Sequence, residues 1–318
     1  MELNYIILAH KNPAQVKRLA EAISDDRVNI YLHVDKNADI TPFKTELANY
    51  KRVTILPDEL RVACVWGGPG IVRATANLIK AVVQDKRTGY VILMSGQDYP
   101  TRTKTYIRNF FEQHNGTNFI HGEKLPASFW PGGGMNKINL YTFFLSQKRE
   151  DYISLSPLFS RTFFTKHNIS SLLKFLRRKP SNIFKCRLLF KKRKYPSYIE
   201  PYGGSQWWAL PVETVAMIDR FLDEHPGYYD FHKNTFAPDE IFFHSIVFSN
   251  IHKLQNNKVA DTITYVDWSV PNSTSPRTFT AQNLPALQQS HRIYARKFDT
   301  DVDALILDLV DEKMLNTK

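Results

Sequence analysis

Over the first 120 residues, apolar β-branched runs alternate regularly with amphipathic stretches, and this pattern narrows the fold more than any other feature of the chain. Runs at Tyr5–Ala9, Asn29–Val34, Val53–Leu56, Tyr90–Met94 and Asn118–His121 have the composition of strands. Between them, Pro13–Ile23, Gly70–Gln84 and Thr103–Gln113 predict helices; in the second, Ile71, Ala74, Leu78 and Val82 recur at steps of three and four. Strand–helix alternation of this kind implies an α/β fold with a mainly parallel central sheet flanked by helices. Such sheets bind ligands beyond the carboxyl ends of their strands. Three post-strand segments become candidates for a site: AHKN (9–12), HVDKN (33–37) and SGQDYP (95–100).

From about residue 124 to 200 the pattern gives way to aromatic, Gly-rich and basic sequence. FWPGGG (129–134) lacks the Lys-Ser/Thr and the strand-to-helix setting of a phosphate loop and reads as a flexible loop. Order returns with YGGSQWWALP (202–211), a helix near Val212–Leu222, a strand Thr262–Asp267 and a last helix from about Asp301 to Leu309. With no repeat and no low-complexity linker, the simplest division is a single domain over 1–318 with an insertion at about 124–200. A hydrophobic content of 43% is ample for such a core.

The net charge of +11 is concentrated. Between Lys174 and Lys194 there are ten basic residues and no acidic one, interleaved with Phe175, Leu176, Ile183, Phe184, Leu188, Leu189 and Phe190. That mixture suits peripheral contact with an anionic membrane surface. A solvated basic loop, or a helix packed on its own domain, has the same composition. Nucleic acid is disfavoured because no reading module stands beside the patch. Two cysteines, Cys64 and Cys186, make no disulfide framework and point to a reducing, cytoplasmic setting, with the inner face of the cell membrane as the surface in reach. The N-terminus has no basic lead-in and reads as a first strand, and no apolar window reaches spanning length. The Asn-X-Ser/Thr triplets at Asn115, Asn168 and Asn272 therefore carry no glycosylation argument.

In APDEIFFHSI (237–246) an acidic pair follows a proline and precedes an apolar run. On local grammar Glu240 is a helix-start residue facing the positive end of the dipole. It is equally a carboxylate presented rigidly enough to act as a base. Asp299, Asp301 and Asp303 form a D-x-D-x-D run, which reads as the start of the last helix because no glycine turn or distal Glu completes a calcium loop. Glu240 and His244 share a helical face, but two groups do not make a metal site.

Nine segments in order resemble one family: IILAH, IYLHVDKN, VWGG, LMSGQDYP, GSQWWALP, APDEIFF, YVDW, SPRTF and ARKFDTDVD, from about residue 5 to 303. The chain resembles glycosyltransferase family 14, the core-2/I-branching N-acetylglucosaminyltransferases and peptide O-xylosyltransferases. The resemblance implies a GT-A-type, Rossmann-like nucleotide-sugar-binding fold and a UDP-sugar donor, GlcNAc or xylose favoured. It also implies a saccharide acceptor and inversion without a metal cofactor; docking through the basic stretch 174–194 would set the chain near a lipid-linked acceptor, in surface polysaccharide or glycan assembly. By the same resemblance Glu240 is the base, Arg277 and Lys297 grip the diphosphate, and Asp35 touches the uracil. His10 and Asp98 line the donor side, and Trp208 and Trp268 are candidates for the acceptor pocket. Vertebrate members carry a membrane-anchored stem and many disulfides; this chain shows neither and is expected to be a bacterial-type, soluble member. Residue types agree with metal-free transfer. SGQDYP offers Asp98 alone where a cation cage needs more carboxylates, and Arg and Lys can take over the charge on a departing diphosphate. Two other readings stay open: a nucleotide-sugar binder without turnover, and a membrane or polyanion binder built on the basic stretch.

Overall fold

The computed structural model describes residues 1–271 and 273–316; Asn272, and with it the third Asn-X-Ser/Thr triplet, lies outside the described residues. Four strands form a parallel core: β1 (Leu3–Ala9), β2 (Val28–Val34), β3 (Val53–Ile55) and β4 (Tyr90–Ser95). Next in the chain come β5 (Asp98–Pro100), β6 (Asn118–Phe119), β7 (Glu123–Lys124), β8 (Tyr141–Phe144), β9 (Tyr152–Leu155) and β10 (Tyr202–Gly203). The last four are β11 (Ala209–Pro211), β12 (Val259–Ala260), β13 (Thr264–Val266) and β14 (Tyr294–Arg296). The central sheet has seven strands in the order β12-β6-β11-β4-β1-β2-β3, and β11 alone runs antiparallel to its neighbours. The chain leaves β1 for β2 on one side and pairs β1 with β4 on the other, so the order reverses at β1, where such sheets place a ligand.

The strands are apolar almost throughout because both faces are covered. Tyr5 and Ile7 pack with Val16, Leu19, Ala20 and Ile23 of the first helix. Ile6 and Tyr31 point the other way, onto Val72, Leu78, Ile79 and Val82 of the helix Gly70–Gln84. The predicted helices Pro13–Ile23 and Gly70–Gln84 form with those bounds, and the third spans Lys104–Gln113 with Thr103 as N-cap, its hydroxyl accepting from Tyr106 N at 3.2 Å. The last helix is shorter than expected, Leu305–Val310. Asp303 caps it by accepting from Ile306 N at 3.1 Å, so the aspartate run lies in the preceding turn.

The segment from 124 to 200 is more ordered than its sequence suggested. It holds the antiparallel hairpin β8–β9 and a helix Lys166–Arg178, closed around Tyr141, Phe143, Ile153, Leu155, Phe163, Phe175 and Leu189. FWPGGG forms a turn in which Gly133 N donates to Trp130 O at 2.9 Å. Among the described residues no helix is long and apolar enough to cross a membrane.

Candidate active site

The carboxyl ends of β1, β2 and β4 open into one cavity of about 520 Å³. His10, Lys11, Asp35 and Gln97 line it from the sheet side. Asp35 is buried, and its carboxylate accepts from the backbone N–H groups of Asn37 (2.8 Å) and Cys64 (3.1 Å), which fix its direction. One residue behind the strand end, His33 accepts from Val62 N at 2.8 Å. Burial, reinforced by the Arg61 charge, pushes its pKa down to about 4 against the pull of Asp35, so the ring is neutral at pH 7. At the rim, desolvation and then Lys11 hold His10 below the usual imidazole range.

The opposite wall comes from a small second sheet. β14 pairs with β5 so that Arg296 stands opposite Asp98. Asp98 is buried; it accepts from Ser95 N (2.9 Å), Ser95 Oγ (2.7 Å) and Arg296 Nε (2.9 Å). The expected sugar contact of Asp98 gives way to a positioning one, because its oxygens are taken up by its own turn and by the arginine. The Arg296 guanidinium lies 4.0 Å from the ring centroid of Trp207, a cation–π platform. Next in the chain, Lys297 lines the cavity and donates to Ser275 Oγ at 2.8 Å. Burial, then the charges of Arg149 and Arg296, lower its pKa. Arg149, from the β8–β9 turn, lines the same cavity with its guanidinium 4.4 Å from the Trp66 ring, and donates to Thr274 O at 2.7 Å. Three cations thus converge on this wall, opposite Lys11 on the sheet side, where sequence reasoning had two.

Arg277 is placed differently from the expectation. Its backbone neighbours Lys297, whose N–H donates to Arg277 O at 3.4 Å. Its side chain turns away to an ion pair with Asp267 (3.0 Å) and a hydrogen bond to Ser269 Oγ (2.9 Å), and it is not among the cavity-lining residues.

Glu240 ends a separate 3₁₀ turn, Pro238–Glu240, ahead of the helix Phe242–Asn250. The turn is braced from two motifs. Ala237, in the left-handed region at φ 46°, donates to Gly67 O at 2.7 Å, and Glu240 O accepts from Gly204 N at 2.9 Å. Gly204 has to be glycine, since a Cβ there would sit 1.8 Å from His121 O. The Glu240 carboxylate makes no helix cap; it pairs with Lys137 Nζ at 2.7 Å, and that ammonium also rests over the rings of Trp130 and Phe236. Glu240 is likewise absent from the lining next to Lys297. Its neighbour Asp239 is buried with Oδ1 unpartnered. Burial and then the Glu240 charge push Asp239 up to about 7, with Lys137 and Arg296 near enough to oppose the rise. His244 is buried and bonded to Ser205 O at 2.9 Å, so it does not join Glu240 as a ligand pair.

Of the aspartate run, Asp299 is tied to Lys11 (2.6 Å), Asn12 (3.0 Å) and Gln97 (3.1 Å), and Asp303 accepts from Ala281 N at 2.9 Å. Among the described residues, no three His, Cys, Asp or Glu side chains converge as a metal site.

The tryptophan expectation needs correcting. Trp208 is 1% exposed and packs in the core with Phe243, its carbonyl accepting from Leu93 N at 3.0 Å just ahead of β11. Trp207, one residue earlier, faces the cavity instead. Trp268 is 60% exposed, on the loop that also carries Arg277. Sequence reasoning missed Arg296, Arg149 and Lys137. ARK (295–297) already showed two adjacent cations, whereas nothing in WW (207–208) marks which indole meets the cavity.

A mainly parallel sheet flanked by helices, whose strand ends carry a fixed carboxylate faced by a wall of cations, defines an α/β protein with an anion-suited cavity at its switch point. The profile of the family described as Core-2/I-Branching enzyme matches residues 3–288, and the chain belongs to that family of glycosyltransferases. Similar proteins include Xylosyltransferase 2 of Mus musculus, 27% identical over 98% of this chain and 33% of the mouse protein. Xylosyltransferase 2 of Homo sapiens is 26% identical over the same shares. Xylosyltransferase oxt of Drosophila pseudoobscura pseudoobscura is 23% identical over 94% of this chain and 31% of the fly protein. The chain spans about a third of the length of these relatives.

Proposed function

We propose that this protein is an inverting glycosyltransferase that moves a sugar from a UDP donor to a saccharide hydroxyl without a metal ion, with xylose favoured by its relatives and GlcNAc by its family. One observation carries the reading: Arg149, Arg296 and Lys297 converge on a single cavity whose far side ends in Asp35. A departing nucleoside diphosphate develops negative charge, and fixed charge-assisted donors in a partly desolvated site stabilise it most strongly in the transition state. Asp35 keeps free lone pairs beside its two backbone donors and suits an imide N–H of a pyrimidine base. Metal independence is supported by the carboxylates themselves: Asp98 and Asp299 are already bound by Arg296 and Lys11.

In the reaction, the acceptor oxygen bonds to the anomeric carbon as the bond from that carbon to the diphosphate oxygen breaks. Glu240 receives the acceptor's proton, and the electron pair leaves with UDP. Glu240 pairs with Lys137, so acceptor binding would have to loosen that pair; Arg277 would join the diphosphate by leaving Asp267.

The test is UDP release from UDP-xylose and UDP-GlcNAc across a saccharide acceptor panel in EDTA. Turnover in EDTA, a loss of roughly 10²–10⁴-fold in Glu240→Gln with UDP binding intact, and weakened UDP binding in Lys297→Met are the expected results. Activity that needs added manganese would refute the cation mechanism. Full activity of Glu240→Gln would remove the base, and absence of any UDP binding would overturn the reading as a whole.

A further inference from the structure

Between Asp151 and Glu200 the chain has no acidic residue and twelve Lys or Arg. Arg178 pairs with Asp151 at 2.9 Å, and Arg193 is buried on the carbonyls of Lys137, Leu140 and Phe231. The other ten make no ion pair with any described carboxylate.

The same segment exposes its largest apolar side chains. Phe159, Phe164, Phe184 and Phe190 are 63–79% exposed, whereas the next most exposed phenylalanine, Phe129, is at 39%. These are not frayed ends. Leu158 N donates to Leu189 O at 2.7 Å, which sets the residues that follow, Phe159 and Phe190, on adjoining backbone. Asn168 accepts from Ser156 N and donates to Phe163 O, fixing the approach to Phe164. Asn182 donates to Phe175 O at 2.8 Å just ahead of Ile183 and Phe184. The insertion's own core is closed without any of the four exposed rings.

From this combination we propose that the 159–194 face docks on an anionic lipid bilayer. Its exposed phenylalanines enter the headgroup–acyl boundary, and the unpaired lysines and arginines sit among lipid phosphates. Charge complementarity selects that occupant. The core of a protein–protein interface is depleted of charge, whereas here unpaired cations are interspersed with the rings. A nucleic-acid surface would need the basic groups but leaves the exposed Ile183 and Leu173 of the same segment unexplained. Apolar burial plus attraction to anionic lipid is the combination that holds an interfacial segment. The inference is independent of the donor chemistry.

The test is co-sedimentation of the full chain with vesicles of phosphatidylcholine alone and of equimolar phosphatidylglycerol and phosphatidylcholine, at low and high salt. Two variants isolate the two forces: Phe159→Ser with Phe164→Ser, Phe184→Ser and Phe190→Ser, and Lys185→Ser with Arg187→Ser, Lys191→Ser and Lys192→Ser. All eight side chains are exposed, so thermal unfolding close to that of the parent verifies the fold. Salt-sensitive binding to the anionic vesicles only, weakened about tenfold or more by each variant, is the expected result. Three results would overturn it: equal binding to neutral vesicles, single-stranded DNA displacing the vesicles, or self-association that the aromatic variant abolishes.

Discussion

The Asp98–Arg296 pair gives the sharpest test of how the second sheet builds the cavity. The two side chains are 1% and 15% exposed, and Arg296 Nε lies 2.9 Å from Asp98 Oδ1. For unit charges roughly 4 Å apart at an effective dielectric of about 20, Coulomb attraction is about 4 kcal/mol. Breaking such a pair by removing one partner costs about 3–5 kcal/mol, because a charge is left buried without its counterion. Asp98→Asn does this with almost no change of volume, and it also sets an amide N–H against one of the two donors from Ser95. With an unfolding entropy of about 2.1 cal/mol/K per residue, a loss of that size lowers Tm by about 4–7 °C in a 318-residue chain.

The companion variant is Asp98→Asn combined with Arg296→Met, which deletes the stranded charge and leaves an apolar chain over Trp207. Its stability should return to within about 1 kcal/mol of the parent. UDP affinity, measured by calorimetry, should stay low in both variants, because one misdirects the arginine and the other lacks it. A cost below about 1 kcal/mol for Asp98→Asn would refute the reasoning. So would a double variant whose losses merely add, since residues that act as a pair are not additive.

Trp208→Ala should lose about 3–5 kcal/mol by cavity formation with UDP affinity per folded molecule unchanged. Trp207→Ala should weaken UDP binding by removing the platform under Arg296, worth about 0.5–2 kcal/mol; the reverse pattern in unfolding and binding assays would contradict their assignment to core and cavity. Asp239 titrates near 7 when folded and near 4 when unfolded, so the folded state holds the extra proton in that window and stability falls as pH rises through it. Asp239→Asn, which mimics the protonated form, should therefore match the parent near pH 4 and exceed its Tm at pH 8. A Tm difference that does not change with pH would contradict the buried, unpartnered carboxyl.

What could be read from the sequence follows how local each determinant is. The helix Pro13–Ile23 was legible because a proline opens it and Val16, Leu19, Ala20 and Ile23 give it one apolar side. Asp35 was legible because an acid directly after a buried strand has nowhere to point but the ligand edge. The hairpin β8–β9 and the helix Lys166–Arg178 were not, because their apolar positions serve a small separate core and basic residues fill the remainder.

Within the site, the differences from expectation share one cause. Arg277 stands alone and Arg296 stands beside Lys297, yet only pairing between distant segments shows which arginine reaches the cavity. The register of β14 on β5 sets Arg296 against Asp98, 198 positions away, and so fixes its guanidinium over Trp207. Arg277 belongs to a loop whose own Asp267 and Ser269 satisfy it. The same contrast separates the two acids of the Pro-Asp-Glu turn. The half-exposed Glu240 carboxylate pairs with Lys137, whereas Asp239 is sealed in with its Oδ1 unpartnered. The resemblance supplied residue types in the right order, and long-range pairing decided which of them share a cavity. Under the proposed mechanism, two ion pairs, Glu240–Lys137 and Arg277–Asp267, would have to open before Glu240 and Arg277 could serve a bound diphosphate and its acceptor.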